Sequence, residues 1–246
     1  MSSRESEGRE AAGTPPAIVR NLTFGMLDAL GRSIVTGAYD GHRFPTEAEL
    51  ASEHSVSRSV TREAVKMLTA KGLLTARPRK GTTVQPSSSW NLFDTDVLRW
   101  LLERKFSLEL LSQFSELRIA IEPAAAALAA KAGDAAAVEA IRQGYRGMEA
   151  AEAGDGDPLE ADIAFHIAVL NASANPFYMQ FRDVVATALH TSIRFTNRFQ
   201  GRTASLPVHH AVLAAIERGD ADGARDAMAV IIADVMELIA GAKAGS

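Results

Sequence analysis

Apolar residues recur at helical spacing along most of this chain, and the pattern changes to short strands at one place only. An N-terminal helix is predicted over 21–36, and its apolar face carries Leu22, Met26, Leu30 and Ile34. Two short strands are predicted at 73–77 and 82–85. Beyond residue 93 the helical periodicity returns in seven blocks, which are 94–104, 107–132, 135–153, 158–173, 176–198, 206–218 and 221–241. The pattern therefore predicts a mainly α protein with a C-terminal all-helical bundle.

Two further helices are predicted before the strands. Thr46 and Glu49 have the S/T-x-x-E spacing of a capping box, so a helix should begin just after Pro45 and run to about His54. After a short turn, a second helix should begin near Ser57. This order of helix, turn, helix and hairpin predicts an N-terminal winged helix-turn-helix.

The second of these helices carries a basic stripe. Arg58, Arg62 and Lys66 follow each other at intervals of four, so they share one face, with Ser59 and Thr61 beside them. The opposite face is apolar and includes Val60, Ala64, Met67 and Leu68. A helix of this kind can enter a major groove, where arginine bonds bidentately to guanine.

The turn between the two strands carries adjacent cations, Arg79 and Lys80, followed by Gly81. Such a wing suits a phosphate backbone or a minor groove. A solvated charged helix followed by an exposed hairpin is the alternative, but the order of the four elements favours DNA binding. The residues expected to contact DNA are Thr46, Ser57, Arg58, Ser59, Thr61, Arg62, Arg79, Lys80 and Gly81.

Charge divides the chain into a basic part and an acidic part. Residues 18–85 contain ten Lys/Arg and six Asp/Glu, whereas residues 86–246 contain fourteen and twenty-one. The net charges are therefore +4 and −7. A basic module joined to an acidic body is typical of a DNA-binding protein with a separate regulatory domain.

Four segments are expected on this basis. Residues 1–17 are polar and should form a disordered tail, and residues 18–85 should form the DNA-binding domain. Residues 86–105 should contain a linker and a linker helix, and residues 106–246 a helical effector-binding domain.

Other features narrow the class of protein. The chain has no cysteine, which excludes disulfides, zinc-thiolate sites and a thiol nucleophile. There is no apolar run of ~20 residues and no signal-peptide pattern, so no membrane partner is expected and the protein should be cytoplasmic.

The N-terminal motifs resemble the DNA-binding domain of GntR-family transcriptional regulators. They are the run 44–50, the run 56–64 and the wing at 80–82. The chain departs from the family at Ala48, where relatives often carry arginine. The resemblance therefore implies double-stranded operator DNA and a homodimer, but not a particular operator sequence.

The helical half resembles the FCD effector domain, which defines the FadR subfamily of GntR regulators. The motifs are the runs 118–123, 162–166, 175–176 and 209–213, in that order. The resemblance implies a helical domain that binds a small effector.

A metal site is one candidate within this half. Asp162 and His166 are four residues apart on one predicted helix, so an oxygen and a nitrogen ligand project from the same face, and His209 could add a third. Taken alone, such a pair is more often a surface hydrogen bond. The resemblance implies a divalent metal, zinc before others, held by one aspartate and three histidines; Ile231 occupies the position of the last histidine. Two alternatives stay open: three protein ligands hold a metal, or the three residues bind the effector directly.

Arg118 is the candidate for the effector carboxylate, since a guanidinium holds a carboxylate bidentately. We expect it at the rim of a polar cavity formed by Asp162, His166 and His209; the alternative is a surface salt bridge with Glu122. Arg194, four residues after His190, could also face the cavity, although many exposed helices carry such pairs.

The junction 90–100 resembles that of the galactonate-operon repressor group, regulators of sugar-acid catabolism. We therefore expect a dimeric repressor, not an enzyme, released from DNA by a small carboxylate such as an aldonate or uronate. The alternatives are a regulator answering to another organic acid, a helical metal-dependent enzyme fused to a DNA-binding domain, and an architectural DNA protein without a ligand.

Overall fold

The computed structural model describes residues 17–77, 81–104, 108–190 and 205–244. The chain divides into two compact units after Asn91. The boundary lies within the segment expected to form the linker, so that α4 (Thr95–Arg104) belongs to the second unit.

The first unit is a winged helix-turn-helix. It contains α1 (Ala17–Val35), α2 (Glu47–Glu53), α3 (Arg58–Ala70), β1 (Leu74–Arg77) and β2 (Gly81–Val84). The strands pair antiparallel, with Leu74 opposite Val84 and Arg77 opposite Gly81. This confirms the predicted helices, hairpin and fold class.

The apolar face of α1 is shifted toward its C-terminal half. Met26, Leu30 and Ile34 are buried as expected, and Leu27 joins them. Leu22 was placed on this face by its spacing, but it is 47% exposed. The next residue, Thr23, is 7% exposed, so the buried face of the helix passes through Thr23 and Met26 and leaves Leu22 outside it.

Side chains fix the starts of α2 and α3. The capping box is formed: Glu49 N donates to Thr46 Oγ1, and Thr46 N donates to Glu49 Oε2 at 2.6 Å. Ser57 caps α3 by accepting from Val60 N. Each hydroxyl satisfies an amide that has no partner inside its own helix.

The segment after β2 is attached to the end of α3. Gln85 N donates to the carbonyl of Leu73, and Asn91 N donates to that of Lys71. Gly72 permits this approach: its φ is +80°, and a Cβ there would lie 2.3 Å from the carbonyl oxygen of Ser89. Residues predicted as a serine linker therefore include a short 3₁₀ turn, Ser87–Ser89, held against the DNA-binding unit.

All the regular secondary structure described in the second unit is helical. After α4 come α5 (Leu108–Ala132), α6 (Ala135–Glu152), α7 (Pro158–Ala172), α8 (Pro176–Met179), α9 at 182–190, α10 (Leu206–Glu217) and α11 (Ala221–Ala244). The block predicted as one helix from 176 is interrupted at 180–181, where Gln180 and Phe181 bond to carbonyls three residues back. No described helix is both long and apolar enough to cross a membrane.

A close contact between α6 and α7 lies in the core of this unit. A Cβ on Gly144 would lie 2.9 Å from Phe165 Cα, so only glycine lets the two helices come this close. Phe165 is fully buried, and its ring lies 5.1 Å from that of His209 on α10. The contact therefore helps to position α7, which carries two of the three candidate metal ligands, Asp162 and His166.

Candidate functional site

Asp162, His166 and His209 come together inside the helical unit. The first two lie one turn apart on α7, and the third lies on α10. One ligand atom from each lies within 4.8 Å of the others, and all three residues are buried. The structure thus brings together three residues that sequence spacing alone could only pair.

The two ring nitrogens of His209 have different surroundings. Nδ1 lies 2.8 Å from the carbonyl oxygen of Ser205, a partner that can only accept, so Nδ1 carries the proton. In the neutral ring, Nε2 then carries a lone pair and no proton, and it lies 3.0 Å from Asp162 Oδ1. These two atoms are buried and have no hydrogen-bond partner among the described residues. Two acceptors so close require a proton or a cation between them.

His166 is oriented in the same way by a different partner. Its Nδ1 lies 2.5 Å from Glu122 Oε2 on α5, and its Nε2 lies 3.8 Å from Asp162 Oδ1. A proton on Nδ1 bonded to the carboxylate leaves a lone pair on Nε2, and the Arg118 Nη2 donor lies 3.5 Å from that atom. In their neutral forms with the proton on Nδ1, both imidazoles turn an unprotonated Nε2 toward the same aspartate.

Glu122 also binds Arg118 one helical turn earlier. Arg118 Nε donates to Glu122 Oε1 at 2.6 Å, and Arg118 Nη2 lies 3.5 Å from both ring nitrogens of His166. Burial alone would raise the pKa of Glu122, but Arg118 and His166 outweigh it and lower this pKa to about 2. Burial would likewise raise the pKa of Asp162, but a hydrogen bond from His209 and the positive charges of His166, His209 and Arg118 lower it when the imidazoles are protonated. Both carboxylates are therefore ionised.

The rim position expected for Arg118 is wrong. The Arg118 side chain is 2% exposed, and its ion pair with Glu122 lies in the interior, not on the surface. The physical reason is that this face of α5 packs against α7, which carries His166. Glu122 is the site residue that sequence reasoning missed; its spacing from Arg118 was visible, but the third partner, His166, lies 44 residues away.

The donor set fits a divalent metal. A carboxylate oxygen and two imidazole nitrogens are ligands that zinc prefers, at ~2.0–2.2 Å. Ligand atoms around a tetrahedral ion at that distance stand about 3.3 Å apart, and the two separations from Asp162 Oδ1 are 3.0 and 3.8 Å. Both histidines also have the outer partners that metal-ligating histidines usually have.

Ile231 adds no ligand. It is 7% exposed and lies in an apolar cluster with Phe165 and Met228. Of the outer candidates, His190 is part-exposed and 3.6 Å from Glu160, while Arg194 lies outside the described residues.

The candidate DNA surface is the exposed face of α3. Arg58, Arg62 and Lys66 are exposed there, and so are Ser57 and Ser59 at its start. Thr46 is exposed at the start of α2, and Gly81 begins β2 with a φ of +80°. Arg79 and Lys80 lie outside the described residues.

Thr61 does not belong to this surface, contrary to prediction. It is fully buried, and its hydroxyl donates to the carbonyl of Ser57 at 3.2 Å. The inward face of α3 is wider than its apolar residues indicate, because Val60, Thr61 and Ala64 are all buried against neighbouring elements.

A winged helix-turn-helix followed by a helical unit with a buried polar site is the architecture of a ligand-responsive transcriptional regulator. Residues 26–84 match the model for bacterial regulatory proteins of the gntR family, and residues 113–234 match the FCD domain. The chain belongs to the GntR family, in the branch that carries an FCD domain.

Two relatives come from Escherichia coli strain K12. The galactonate operon transcriptional repressor is 35% identical over 87% of this chain and 94% of its own length. The uncharacterized HTH-type transcriptional regulator YieP is 34% identical over 85% and 91%. Among solved structures, E. coli McbR/YncC covers 90% of this chain and 98% of its own, with a TM-score of 0.51 and 18% identity. This last likeness concerns the fold alone.

Proposed function

We propose that this regulator is a repressor whose helical unit holds a divalent metal, zinc first, and releases operator DNA when a small hydroxylated carboxylate binds there. The observation that carries the proposal is the pair His209 Nε2 and Asp162 Oδ1, buried 3.0 Å apart without a hydrogen bond. A second proton on His209 would stabilise this arrangement, and so would a shared cation, which is the alternative proposed here.

Charge supports an anionic effector. With neutral histidines, Asp162, Glu122 and Arg118 sum to −1, so a divalent ion would make the site +1. Such an ion would act as a Lewis acid. With only three protein ligands, it would keep coordination positions open for an effector. Arg118 is held by Glu122, so its part is to balance that buried carboxylate and support His166, rather than to hold the effector at a rim.

A sugar acid is the proposed effector class. Several hydroxyls suit a polar site of carboxylate and imidazoles better than an acyl chain, which would need an apolar tunnel. The relative named as a galactonate operon repressor supports the same class. We expect effector binding to weaken operator affinity by ~1–3 kcal/mol, an ordinary coupling between two sites.

Calorimetry with the zinc-loaded protein tests the effector class. The panel contains aldonates, uronates, short dicarboxylates, other organic acids and an acyl-CoA, and Asp162→Ala is the site control. An aldonate or uronate should bind to the wild type and not to the variant. If only a different organic acid bound, the sugar-acid proposal would be wrong and the regulator would respond to that acid instead.

On the DNA side, we propose a homodimer on a palindromic operator. Arg58 and Arg62 on α3 would contact base edges. The hydroxyl residues Ser57, Ser59 and Thr46 would bind phosphates. The wing would contact the DNA backbone or the minor groove through Arg79, Lys80 and Gly81. A single module has a small footprint, and two-fold pairing doubles the contacts. Sedimentation with and without a palindromic duplex tests this; a monomer at micromolar concentration in both cases contradicts it.

A metal-dependent enzyme fused to a DNA-binding domain is the second candidate, because Asp162, His166 and His209 also form the ligand set of a hydrolytic or lyase site. Glu122, the nearest further carboxylate, is held by Arg118 and His166, which leaves it poorly suited to act as a base. A turnover assay with the zinc-loaded protein and sugar acids separates the two: a regulator leaves the compound unchanged.

A further inference from the structure

Arg62 on the exposed face of α3 is held from one side by Glu47, the first residue of α2. Arg62 Nε donates to Glu47 Oε2 at 3.2 Å. The side chains are 62% and 38% exposed, so the ion pair lies at the surface and joins two helices of the DNA-binding unit.

The capping box fixes the backbone from which Glu47 projects. Glu47 follows the N-cap Thr46 directly, and Glu49 Oε2 accepts from Thr46 N at 2.6 Å and from Thr46 Oγ1 at 2.8 Å. A carboxylate in the first turn is also favoured by the helix dipole. Glu47 is therefore placed by its own helix, before any contact with DNA.

The pairing through Nε has a geometric consequence for Arg62. An arginine can bond a guanine edge through its two terminal nitrogens, and the bond from Nε to Glu47 leaves both of these available. Among the described residues, Arg58 makes no ion pair, and Lys66 pairs with Glu63 on its own helix at 3.6 Å. Of the three cations in the stripe, Arg62 is thus the one tied to another helix.

We propose that Glu47 is a positioning residue for sequence reading: it holds Arg62 Nε so that the terminal nitrogens face the base edge. The proposal rests on the proposed reading of DNA by α3. A carboxylate beside a DNA surface repels phosphate and weakens binding to every sequence. The same carboxylate increases discrimination between sequences, because it restricts Arg62 to one orientation before binding.

This split between specific and non-specific binding is the test. The full-length protein is titrated against a duplex that it selects from a random pool and against a scrambled duplex of equal length, using fluorescence anisotropy. Glu47→Ala should lower affinity for the selected duplex about tenfold, and raise affinity for the scrambled duplex about twofold because a negative charge is lost. Glu47→Gln keeps an acceptor for Nε, so it should retain most of the discrimination.

Glu53→Ala is the matched control, since it removes the same charge from the last turn of α2. It should raise affinity for both duplexes in parallel. If Glu47→Ala behaves like this control while Arg62→Ala loses discrimination, the positioning role is overturned and base reading by α3 stands. If Arg62→Ala keeps full discrimination, both proposals fail. A Glu47→Ala/Arg62→Ala double variant that discriminates no worse than Arg62→Ala supports action through Arg62.

Discussion

His209 Nε2 and Asp162 Oδ1 face each other at 3.0 Å in the interior of the helical unit, and neither has a hydrogen-bond partner among the described residues. His209 cannot bridge the gap with a proton on Nε2 while Nδ1 donates to the carbonyl of Ser205, unless the ring is charged. A second proton on His209, which would make an imidazolium–carboxylate ion pair, or a shared metal cation would satisfy both atoms.

The first prediction concerns metal and stability. Zinc should stabilise the wild type by ~2.7 kcal/mol at a free concentration one hundred times its Kd, because it binds the folded form. A chelator should remove this gain, measured as the shift in Tm. Asp162→Ala should show no response to zinc, whereas the exposed Asp155→Ala should respond like the wild type. If neither zinc nor the chelator changes the Tm of the wild type, the metal site is contradicted.

The second prediction concerns Glu122 as the partner of His166. Glu122→Gln should weaken zinc affinity roughly 10–100-fold, because the outer partner of a ligating histidine sets its tautomer and basicity. Competition with a zinc-binding dye measures the Kd. Glu160→Gln, on the exposed side of α7, is the control and should leave the Kd unchanged. Equal affinities for wild type and Glu122→Gln would show that this hydrogen bond does not tune the site.

The third prediction concerns acid stability. The pKa of Glu122 is lowered from 4.5 to about 2 in the fold. A carboxylate with a lowered folded pKa stabilises the fold fully above its unfolded pKa, and the gain is lost as the pH falls through the folded pKa. The free energy of unfolding should therefore fall from about pH 4.5 toward pH 2, and the lowered pKa of Asp162 acts in the same direction.

Urea unfolding in a chelator, at several values of pH, measures this dependence. Glu122→Gln should be less stable than the wild type at pH 7 and should lose less stability on acidification. A variant whose curve runs parallel to that of the wild type would exclude Glu122 as a source of the acid sensitivity.

The fourth prediction concerns the contact of α6 with α7. Gly144→Ala should destabilise the protein by about 1–3 kcal/mol, because the added Cβ meets the backbone of Phe165, which cannot move like a side-chain end. Gly147→Ala, one turn later, meets only Ala161 Cβ at 3.6 Å and should stabilise by up to about 1 kcal/mol through helix propensity. Thermal unfolding of both variants checks the opposite signs, and equal effects would contradict the close approach.

The fifth prediction follows from the burial of Thr61. Thr61→Val removes the bond to the carbonyl of Ser57 and should cost about 1 kcal/mol of stability. It should leave discrimination between operator and scrambled DNA unchanged, because no atom of Thr61 reaches the surface. Anisotropy with both duplexes measures this. If Thr61→Val lost discrimination at one base pair, as is expected for Arg62→Ala, Thr61 would have to contact DNA after all.

The local elements could be predicted from the sequence because their causes are local. Thr46 and Glu49 are three residues apart, so the capping box and the start of α2 follow from short-range hydrogen bonds. The helical spacing of apolar residues likewise gave the bounds of α5, α6 and α10 closely. The basic stripe of Arg58, Arg62 and Lys66 needs no more than the pitch of one helix, and all three are exposed.

The exact limits of each buried helix face were decided by the tertiary structure. Thr61, next to the stripe in sequence, is inside because α3 packs against other elements on that side, whereas Leu22 is outside although its neighbour Thr23 is buried. From the sequence, Glu122 is expected only as one end of a surface ion pair with Arg118. In the structure, α7 places His166 Nδ1 2.5 Å from Glu122 Oε2. Spacing along the chain determines which side chains share a helix face. Contact between helices that are distant in sequence determines which charged side chains are removed from solvent. Here the packing of α5 against α7 buried Arg118, Glu122 and His166 together as one network.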